Sequence, residues 1–266
     1  MTVSVCVAGA TGWTGSAVAQ AVLEADDLEL RSAVGRGHAG SDLGVAWGRE
    51  ANGVRIEGAV ADALDGVHVL VDYTSHDAVL GHVLTAVAGG VHAVIGTSGL
   101  TAAEFDRIDA AARATGVGVV AAGNFSLTAA MAGAAALLVA PYLSQREIVD
   151  YASAGKPDVP SGTARELAER LGEVSRPTLQ VALDETSGPV EARGATVAGT
   201  QVHSVRLPSF VVSTEVVFAA PDERLVIRHD AGPTPTPYVA GTLLAVRRVG
   251  GLVGLVRGLD RLLMGS

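Results

Sequence analysis

A strand, a glycine-rich turn and a helix follow one another at the start of the chain. The apolar run Val3–Ala8 predicts a buried strand, and residues 14–24 predict a helix. Glycines between them let backbone N–H groups approach a phosphate, which the amino end of a helix also attracts. A plain strand-to-helix turn is the alternative, since the glycine spacing differs by one residue from the commoner dinucleotide fingerprint. The candidate cofactor contacts in this turn are Gly9, Thr11, Gly12, Trp13, Thr14 and Gly15.

Strands and helices continue to alternate through the first half of the chain. This order is typical of α/β proteins and predicts a Rossmann-like, doubly wound parallel sheet. The predicted strands are Val3–Ala8, Leu28–Val34, Val67–Tyr73, Ala93–Ile95 and Gly118–Ala122, with helices over residues 14–24, Asp77–Ala88 and Ala102–Ala114.

The pattern changes after residue 126. An uncharged helix over residues 127–143 precedes a block of mostly strand-like segments, which predicts an α+β domain with an open, mainly antiparallel or mixed sheet. The predicted strands are Arg146–Tyr151, Leu179–Ala182, Gln201–Leu207, Val211–Ala219 and Arg224–Ile227, with a helix over Ser161–Gly172. Residues 234–238 interrupt the pattern before two closing helices, Val239–Val249 and another after Gly251.

Composition excludes several classes of protein. Hydrophobic residues make up 48% of the 266 residues, and the formal net charge is −9, so we expect a globular protein that does not bind nucleic acid. The single cysteine, Cys6, is expected to be a core residue. Residues 116–145 carry no formal charge, but their apolar part is too short to span a bilayer. We therefore expect a cytoplasmic protein with no membrane association.

The ends of the other predicted strands extend the cofactor site. No acid follows the second strand, whereas Arg36 does, which favours the 2′-phosphate of NADPH over the ribose hydroxyls of NADH; NADH remains possible. Phe125 is a candidate neighbour of the nicotinamide ring, or an ordinary buried aromatic. Further candidates at these strand ends are Gly96, Thr97, Ser98 and Asn124.

The segment from Lys156 to Thr163 predicts an anion site. Ser161, Gly162 and Thr163 lie where a helix is expected to begin, so their N–H and hydroxyl groups are placed to hold a carboxylate. Lys156 adds a positive charge. A capped helix after a proline turn is the alternative.

These motifs together resemble those of the dihydrodipicolinate reductase family, nearly from end to end of the chain. The lysine-to-threonine stretch is the most distinctive of them. The matching segments are Gly9–Gly15, Asp72–Thr74, Gly96–Gly99, Asn124–Ser126, Lys156–Thr163 and His203–Pro208.

The resemblance implies a nicotinamide-dependent reductase with two domains. Residues 1–126 and 236–266 would form a dinucleotide-binding domain, and residues 127–235 a substrate-binding and oligomerisation domain. It further implies hinge closure over the ligand and a homotetramer built through the substrate-domain sheets. It adds Tyr73 and Thr74 to the cofactor contacts and supports Lys156 as a substrate contact.

The chain departs from the family mainly on the substrate side. Ala152 and Ser153, which are candidate substrate contacts, stand where the family usually carries a histidine pair. One histidine of that pair is the proposed proton donor, and the other helps to hold substrate. Thr214 replaces another histidine, Trp13 replaces a common arginine, and an arginine expected within residues 233–236 is absent.

We therefore expect an NADPH-dependent reductase of a small imine or cyclic imino acid, similar to an imine reductase. The family's own reaction in lysine biosynthesis and a catalytically silent nucleotide-binding homologue are the alternatives. An iminium substrate would need no acid, whereas a neutral imine would take its proton from Tyr151, Asp150, Lys156 or an ordered water. Tyr151 is equally typical of a core strand. His203 and His229 are expected to be structural, and no metal-binding spacing occurs.

Overall fold

The computed structural model describes residues 2–264 and divides the chain into two compact units. One unit consists of Met1–Leu127 together with Pro235–Ser266, and the other of Thr128–Thr234. No helix within residues 2–264 has both the length and the apolar character that crossing a membrane requires.

The first unit is built on a parallel sheet of seven strands, in the order β12-β6-β5-β4-β1-β2-β3. Its central strands are apolar and almost completely buried, as expected when helices cover both faces of a sheet. The strands are β1 (Val3–Ala8), β2 (Leu28–Val34), β3 (Ile56–Glu57), β4 (Val69–Asp72), β5 (His92–Ile95), β6 (Gly118–Ala121) and β12 (Gly254–Arg257). The helices are α1 (Trp13–Leu23), α2 (Leu43–Ala46), α3 (Val60–Ala63), α4 (His76–Ala88), α5 (Ala102–Thr115), α8 (Thr236–Val249) and α9 (Leu259–Met264).

The second unit contains a mixed sheet of five strands, in the order β11-β10-β7-β9-β8. Strands β7 and β9 are parallel, and the other pairs are antiparallel. Its elements are α6 (Leu127–Val139), β7 (Gln145–Ala152), α7 (Gly162–Val174), β8 (Ala195–Val197), β9 (Thr200–Arg206), β10 (Val212–Ala220) and β11 (Glu223–Asp230). The predicted Rossmann-like sheet and the mixed second sheet are thus confirmed.

Strand β7 shows how the second sheet is covered on one side. Its residues are alternately buried and partly exposed, and Ile148 packs with Phe218 of β10 and with Ala164 and Leu171 of α7 in one core cluster. Residues on the opposite face, such as Val149, line a cavity of about 620 Å³ under the loop that follows α7.

The buried Arg146 fixes the far end of α7. Its guanidinium donates hydrogen bonds to the carbonyl oxygens of Leu171 and Ser175. The Leu171 oxygen also accepts from the N–H of Ser175, the C-cap residue of the helix. A cation at this position also complements the negative end of the helix dipole.

Three predicted elements are wrong. Leu179–Ala182 is not a strand, because alternation alone does not supply a neighbouring strand and the segment lies in the loop over the sheet. The segment after Gly251 first forms strand β12, which pairs with β6, and becomes helical only at Leu259. Residues 236–238 belong to α8, since Pro237 is tolerated in the first turn of a helix.

Candidate cofactor and substrate sites

Strand β1 lies at the point where the order of the parallel sheet reverses. Its neighbours are β2 on one side and β4 on the other, so the connections after β1 and β4 run in opposite directions. Open α/β sheets bind ligands in the crevice that forms there, outside the carboxyl ends of the strands. The glycine turn follows β1, and Tyr73 and Thr74 follow β4, so the predicted cofactor residues lie at this crevice.

Backbone contacts explain two of the three glycines in the turn. Gly9 has φ +82°, and a Cβ there would lie 2.2 Å from the carbonyl oxygen of Tyr73. A Cβ on Gly15 would lie 2.1 Å from the carbonyl oxygen of Gly9. The nearest atom to a Cβ on Gly12 would be 3.1 Å away, so packing within the protein demands glycine there far less strongly.

The amino terminus of α1 is suited to an anion. Gly12 is its N-cap residue and provides no side-chain cap, and no acid lies in the first turn. Helix α5, in contrast, has a full capping box formed by Thr101 and Glu104. The first N–H groups of α1, together with the positive end of its dipole, therefore fit a pyrophosphate.

Arg36 is exposed just beyond the end of β2, on the side of β1 where an adenosine would lie. Within residues 2–264 it has no carboxylate partner. Glu57, on the neighbouring strand β3, is paired with Arg55 at 3.0 Å. The guanidinium of Arg36 thus offers a positive charge to a 2′-phosphate.

Aromatic side chains flank the glycine turn. Trp13 is half-exposed and makes an edge-to-face contact with Tyr238, with ring centroids 6.0 Å apart. The indole Nε1 of Trp47 donates a hydrogen bond to the carbonyl oxygen of Ala10 at 3.0 Å, and so holds the turn from the α2 side.

Tyr73 follows β4 and Phe125 lies shortly after β6, on the side of β1 opposite to Arg36. Their rings meet at a centroid distance of 6.3 Å, and the Tyr73 hydroxyl donates to Thr242 Oγ1 at 2.7 Å. Burial raises the pKa of Tyr73. The Phe125 side chain is only 1% exposed, so it matches the alternative of a buried aromatic and has no open face for a nicotinamide ring.

Thr74 and Thr97 are joined at the carboxyl ends of β4 and β5. The Thr74 N–H donates to Thr97 Oγ1 at 2.8 Å. Gly96 lies against the Tyr73 ring, where a Cβ would come within 2.1 Å of it. Ser98 is exposed, and Asn124 Oδ1 accepts a hydrogen bond from the Ser126 N–H at 2.8 Å.

The sequence predicts that Ser161 contacts the substrate, but in the second unit its hydrogen-bond donors are occupied by another residue. Its N–H and its hydroxyl both donate to the carboxylate of Asp150, at 2.8 Å and 2.6 Å, and its side chain is buried. Gly162 occupies the first position of α7, where an N–H lacks an intrahelical acceptor, and Thr163 lies next to it. Lys156 forms an ion pair with Asp158 at 2.8 Å.

Asp150 is therefore a structural carboxylate rather than a proton donor. Besides Ser161, it accepts from Ser204 at 3.1 Å and from Arg206 at 2.8 Å. Burial acts to raise its pKa, but the hydrogen bonds from Ser161 and Arg206 outweigh it and hold the pKa of Asp150 below its ordinary value. An ionised carboxylate has no proton to donate.

Tyr151 also lies apart from the Asp150 carboxylate and its hydrogen-bond donors. Successive side chains of a strand point to opposite faces, so Tyr151 lies on the face opposite Asp150 and Ala152. Its ring packs between Phe210 and the guanidinium of Arg228, each at 5.0 Å. This placement fits a structural aromatic.

The positions of the expected histidine pair carry no acid. Ala152 is buried, and the carbonyl oxygen of Ser153 accepts a hydrogen bond from the Lys156 N–H at 3.0 Å. His203 is paired with Glu147 at 2.8 Å. His229 is buried, and its burial lowers its pKa. Within residues 2–264 no cluster of three or more histidine, cysteine or acidic side chains is arranged to hold a metal ion.

Sequence reasoning missed several residues that hold these sites. Arg206 lies within the family-like segment His203–Pro208. Its contacts with Asp150 and with the Asp158 carbonyl oxygen, at 2.8 Å each, nevertheless depend on strand register. No local pattern links Trp47 or Thr242 to the crevice.

We predict that Asp150→Asn destabilises the protein by about 3 kcal/mol at pH 7, because it breaks a buried ion pair and leaves Arg206 unpaired. Since the folded pKa of Asp150 lies below the unfolded value of 3.8, its contribution is present above pH 3.8 and is lost as pH falls through the folded pKa. The unfolding free energies of the two proteins should converge in acid, as urea denaturation between pH 7 and pH 3 would measure. Asp184→Asn, at an exposed acid of the same unit, is the control. A pH-independent difference would contradict the prediction.

Comparison with known proteins agrees with this geometry. The amino-terminal family model of dihydrodipicolinate reductase matches residues 3–125, and the carboxyl-terminal model matches residues 123–263. The 4-hydroxy-tetrahydrodipicolinate reductase of Moorella thermoacetica is 38% identical over 98% of each chain. That of Thermosynechococcus vestitus is 35% identical over 98% of this chain and 97% of the relative.

Solved structures give the same result. The dipicolinate-bound dihydrodipicolinate reductase of Paenisporosarcina sp. TG-14 superimposes with a TM-score of 0.79 at 26% identity, covering 98% of this chain and 99% of the other. The amine dehydrogenase of Mycobacterium smegmatis, at 14% identity and a TM-score of 0.65, shares the fold. The chain therefore belongs to the dihydrodipicolinate reductase family and is a pyridine-nucleotide-dependent oxidoreductase.

Proposed function

We propose that this enzyme uses NADPH to reduce the C=N bond of a small imine or iminium that carries a carboxylate. One observation supports this above the others. The second unit retains Lys156 and the α7 amino terminus, where Gly162 and Thr163 lie, but has Ala152 and Ser153 in place of the histidine pair. The carboxylate-binding elements are thus kept while the usual acid is lost.

In this proposal the first unit holds the cofactor. The amino terminus of α1 binds the pyrophosphate, Arg36 pairs with the 2′-phosphate, and Thr74 and Thr97 lie on the nicotinamide side. A bound nicotinamide supplies the hydride that reduces the C=N carbon. The chain contributes position and a fixed electrostatic environment.

The nitrogen needs one proton if the substrate is a neutral imine. Of the three candidate side chains, Asp150 is held ionised and Tyr151 lies on the other face of its strand. Lys156 is the candidate that remains. We propose that its ammonium binds the carboxylate and supplies the proton, while a substrate that is already an iminium needs no donor.

The second candidate is the family reaction itself. Relatives that are 35–38% identical over 98% of the chain are named 4-hydroxy-tetrahydrodipicolinate reductases. This similarity favours the same cyclic substrate. For this substrate too, the proton would come from Lys156 or from water, because this chain lacks the two histidines.

We also propose that the enzyme assembles as a homotetramer through the open face of the second sheet. That face carries Val149 and Val217 in its centre and Glu147 beside them. The loop over this face leaves a large cavity, so the loop alone does not fill the space that another copy of the chain would occupy. The family resemblance supports this proposal.

Substrate identity can be tested by NADPH oxidation at 340 nm. We expect turnover of cyclic imines that carry a carboxylate, and at least tenfold lower kcat/KM for the same rings without it, because Lys156 and α7 would lose their partner. Turnover of the lysine-pathway intermediate alone would favour the second candidate. NADPH binding with no turnover of any compound would indicate a catalytically silent homologue.

Cofactor preference can be tested at Arg36. We expect Arg36→Ala to weaken NADPH binding by about tenfold to a hundredfold, because a charge-assisted contact with the 2′-phosphate is lost, and to change NADH binding little. Titration calorimetry with both cofactors measures this. Arg31→Ala, an arginine earlier on the same strand, is the matched control. Equal weakening of NADPH and NADH would remove Arg36 from the phosphate site.

The role of Lys156 can be tested by separating its charge from its proton. Lys156→Arg keeps a cation that does not deprotonate, so we expect KM for a carboxylated neutral imine to change little and kcat to fall by about 10²-fold or more. With an N-methylated iminium, which needs no proton, kcat should be retained. Lys156→Met should raise KM for both. An equal fall in kcat of Lys156→Arg with both substrates would refute proton donation.

A further inference from the structure

A single buried carboxylate joins the two loops on the nicotinamide side of the crevice. Asp72 is the last residue of β4 and is 0% exposed. Its Oδ1 accepts hydrogen bonds from the Thr74 N–H at 3.0 Å, the Thr74 hydroxyl at 2.7 Å and the Thr97 hydroxyl at 2.7 Å. Its Oδ2 accepts from His82 Nδ1 at 2.8 Å.

His82 approaches this carboxylate from helix α4. A carboxylate oxygen accepts, so the proton of this hydrogen bond lies on His82 Nδ1. The His82 side chain is 24% exposed, whereas Asp72 is fully enclosed. The histidine is thus the connection between the helix surface and the buried network.

The position of this network follows from strand order. Arg36 follows β2, on one side of β1, whereas Thr74 and Thr97 follow β4 and β5 on the other side. A dinucleotide that crosses the sheet at β1 and places its 2′-phosphate at Arg36 must place its nicotinamide half at Thr74 and Thr97. The Asp72 network therefore underlies only one half of the cofactor.

Burying a carboxylate is costly unless its lone pairs are satisfied, and here four donors satisfy it. A leucine would fill the end of a buried strand at lower cost. What the carboxylate adds is a fixed orientation of Thr74 relative to Thr97, because both hydroxyls are directed to the same oxygen atom and cannot turn independently.

We propose that Asp72 and His82 are positioning residues for the nicotinamide half of the cofactor. They hold the Thr74 and Thr97 loops in the arrangement that receives the nicotinamide riboside, and they make no contribution to the adenosine half. This inference rests on the cofactor site proposed above.

Binding of two probes separates the two halves. NADPH spans the whole crevice, whereas adenosine 2′,5′-bisphosphate reaches only the glycine turn and Arg36. We expect His82→Leu to weaken NADPH by about tenfold or more, equal to the loss of one good hydrogen-bonded contact, while the fragment binds within about twofold of wild type. His82→Asn places an amide N–H near the position of Nδ1 and should restore most of the NADPH affinity.

A matched control lies at the opposite end of the same strand. His68 precedes β4 and shares a hydrogen bond of 2.6 Å with the Ser4 hydroxyl through its own Nδ1. His68→Leu should leave both affinities unchanged. Asp72→Asn keeps one acceptor oxygen but removes the oxygen that receives His82, so it should act in the same direction as His82→Leu and serves if that variant folds poorly.

Hydride transfer gives a second measurement that a merely structural role would not change. Each variant oxidises NADPH deuterated at either C4 face, with a carboxylated cyclic imine as the hydride acceptor, and the isotope content of the NADP⁺ shows which face is used. Wild type and His68→Leu should use one face, whereas a loosened nicotinamide in His82→Leu should show measurable use of both or a kcat that falls more than KM rises.

The outcomes distinguish this inference from the proposed function. Failure of wild type to bind either probe would overturn the cofactor site itself. If wild type binds both probes, equal weakening of both by His82→Leu, or no weakening of NADPH, would overturn the positioning role. Selective weakening of NADPH with rescue by His82→Asn would support it.

Discussion

The close approach of three backbone segments at the carboxyl end of β1 is the contact on which the first unit depends. Gly15 lies against the carbonyl oxygen of Gly9, and Gly9 lies against the carbonyl oxygen of Tyr73. Any side chain at Gly9 or Gly15 would separate α1 from the turn or the turn from β4. Because these contacts involve backbone on both sides, they leave the α1 amino terminus directly above the crevice with its N–H groups unoccupied by a side-chain cap. The same sterics that close the fold therefore create the anion-binding end of the helix.

Each unit also places a buried carboxylate at the end of a central strand. Asp72 ends β4, and Asp150 lies near the end of β7. Both accept hydrogen bonds from hydroxyl and N–H donors, and both hold loops that the proposed function uses. The ring or guanidinium beside each carboxylate differs: Asp150 pairs with Arg206, whereas Asp72 contacts the imidazole of His82. This difference explains why substitution of Asp150 is expected to act on stability and substitution at the Asp72 network on ligand position.

The sequence predicts the positions of the strands better than it predicts the contacts of the side chains. Hydrophobic runs bounded by glycine locate five of the seven strands of the parallel sheet within one or two residues, because strands buried on both faces are mostly apolar. Strand β3, only two residues long, is not predicted. Strand β12 is also missed, because its short apolar run after two glycines can be recognised as a strand only from its pairing with β6. Within the proposed sites, Gly12, Arg36 and Lys156 stay predictions from local motifs. The commitment of Ser161 to Asp150 was not foreseen, since it depends on which face of β7 meets the start of α7.

Lys156 is the only lysine in a chain whose basic residues, 19 in all, are otherwise arginine. Positive charge alone does not explain that choice, because arginine forms ion pairs in both units and binds carboxylates with better geometry. What lysine offers and arginine does not is an ammonium that releases a proton. In the proposed site Ala152 and Ser153 replace the histidines and Asp150 is held ionised, which is why the proton is assigned to Lys156. The ion pair with Asp158, at 2.8 Å, fixes the position of that ammonium.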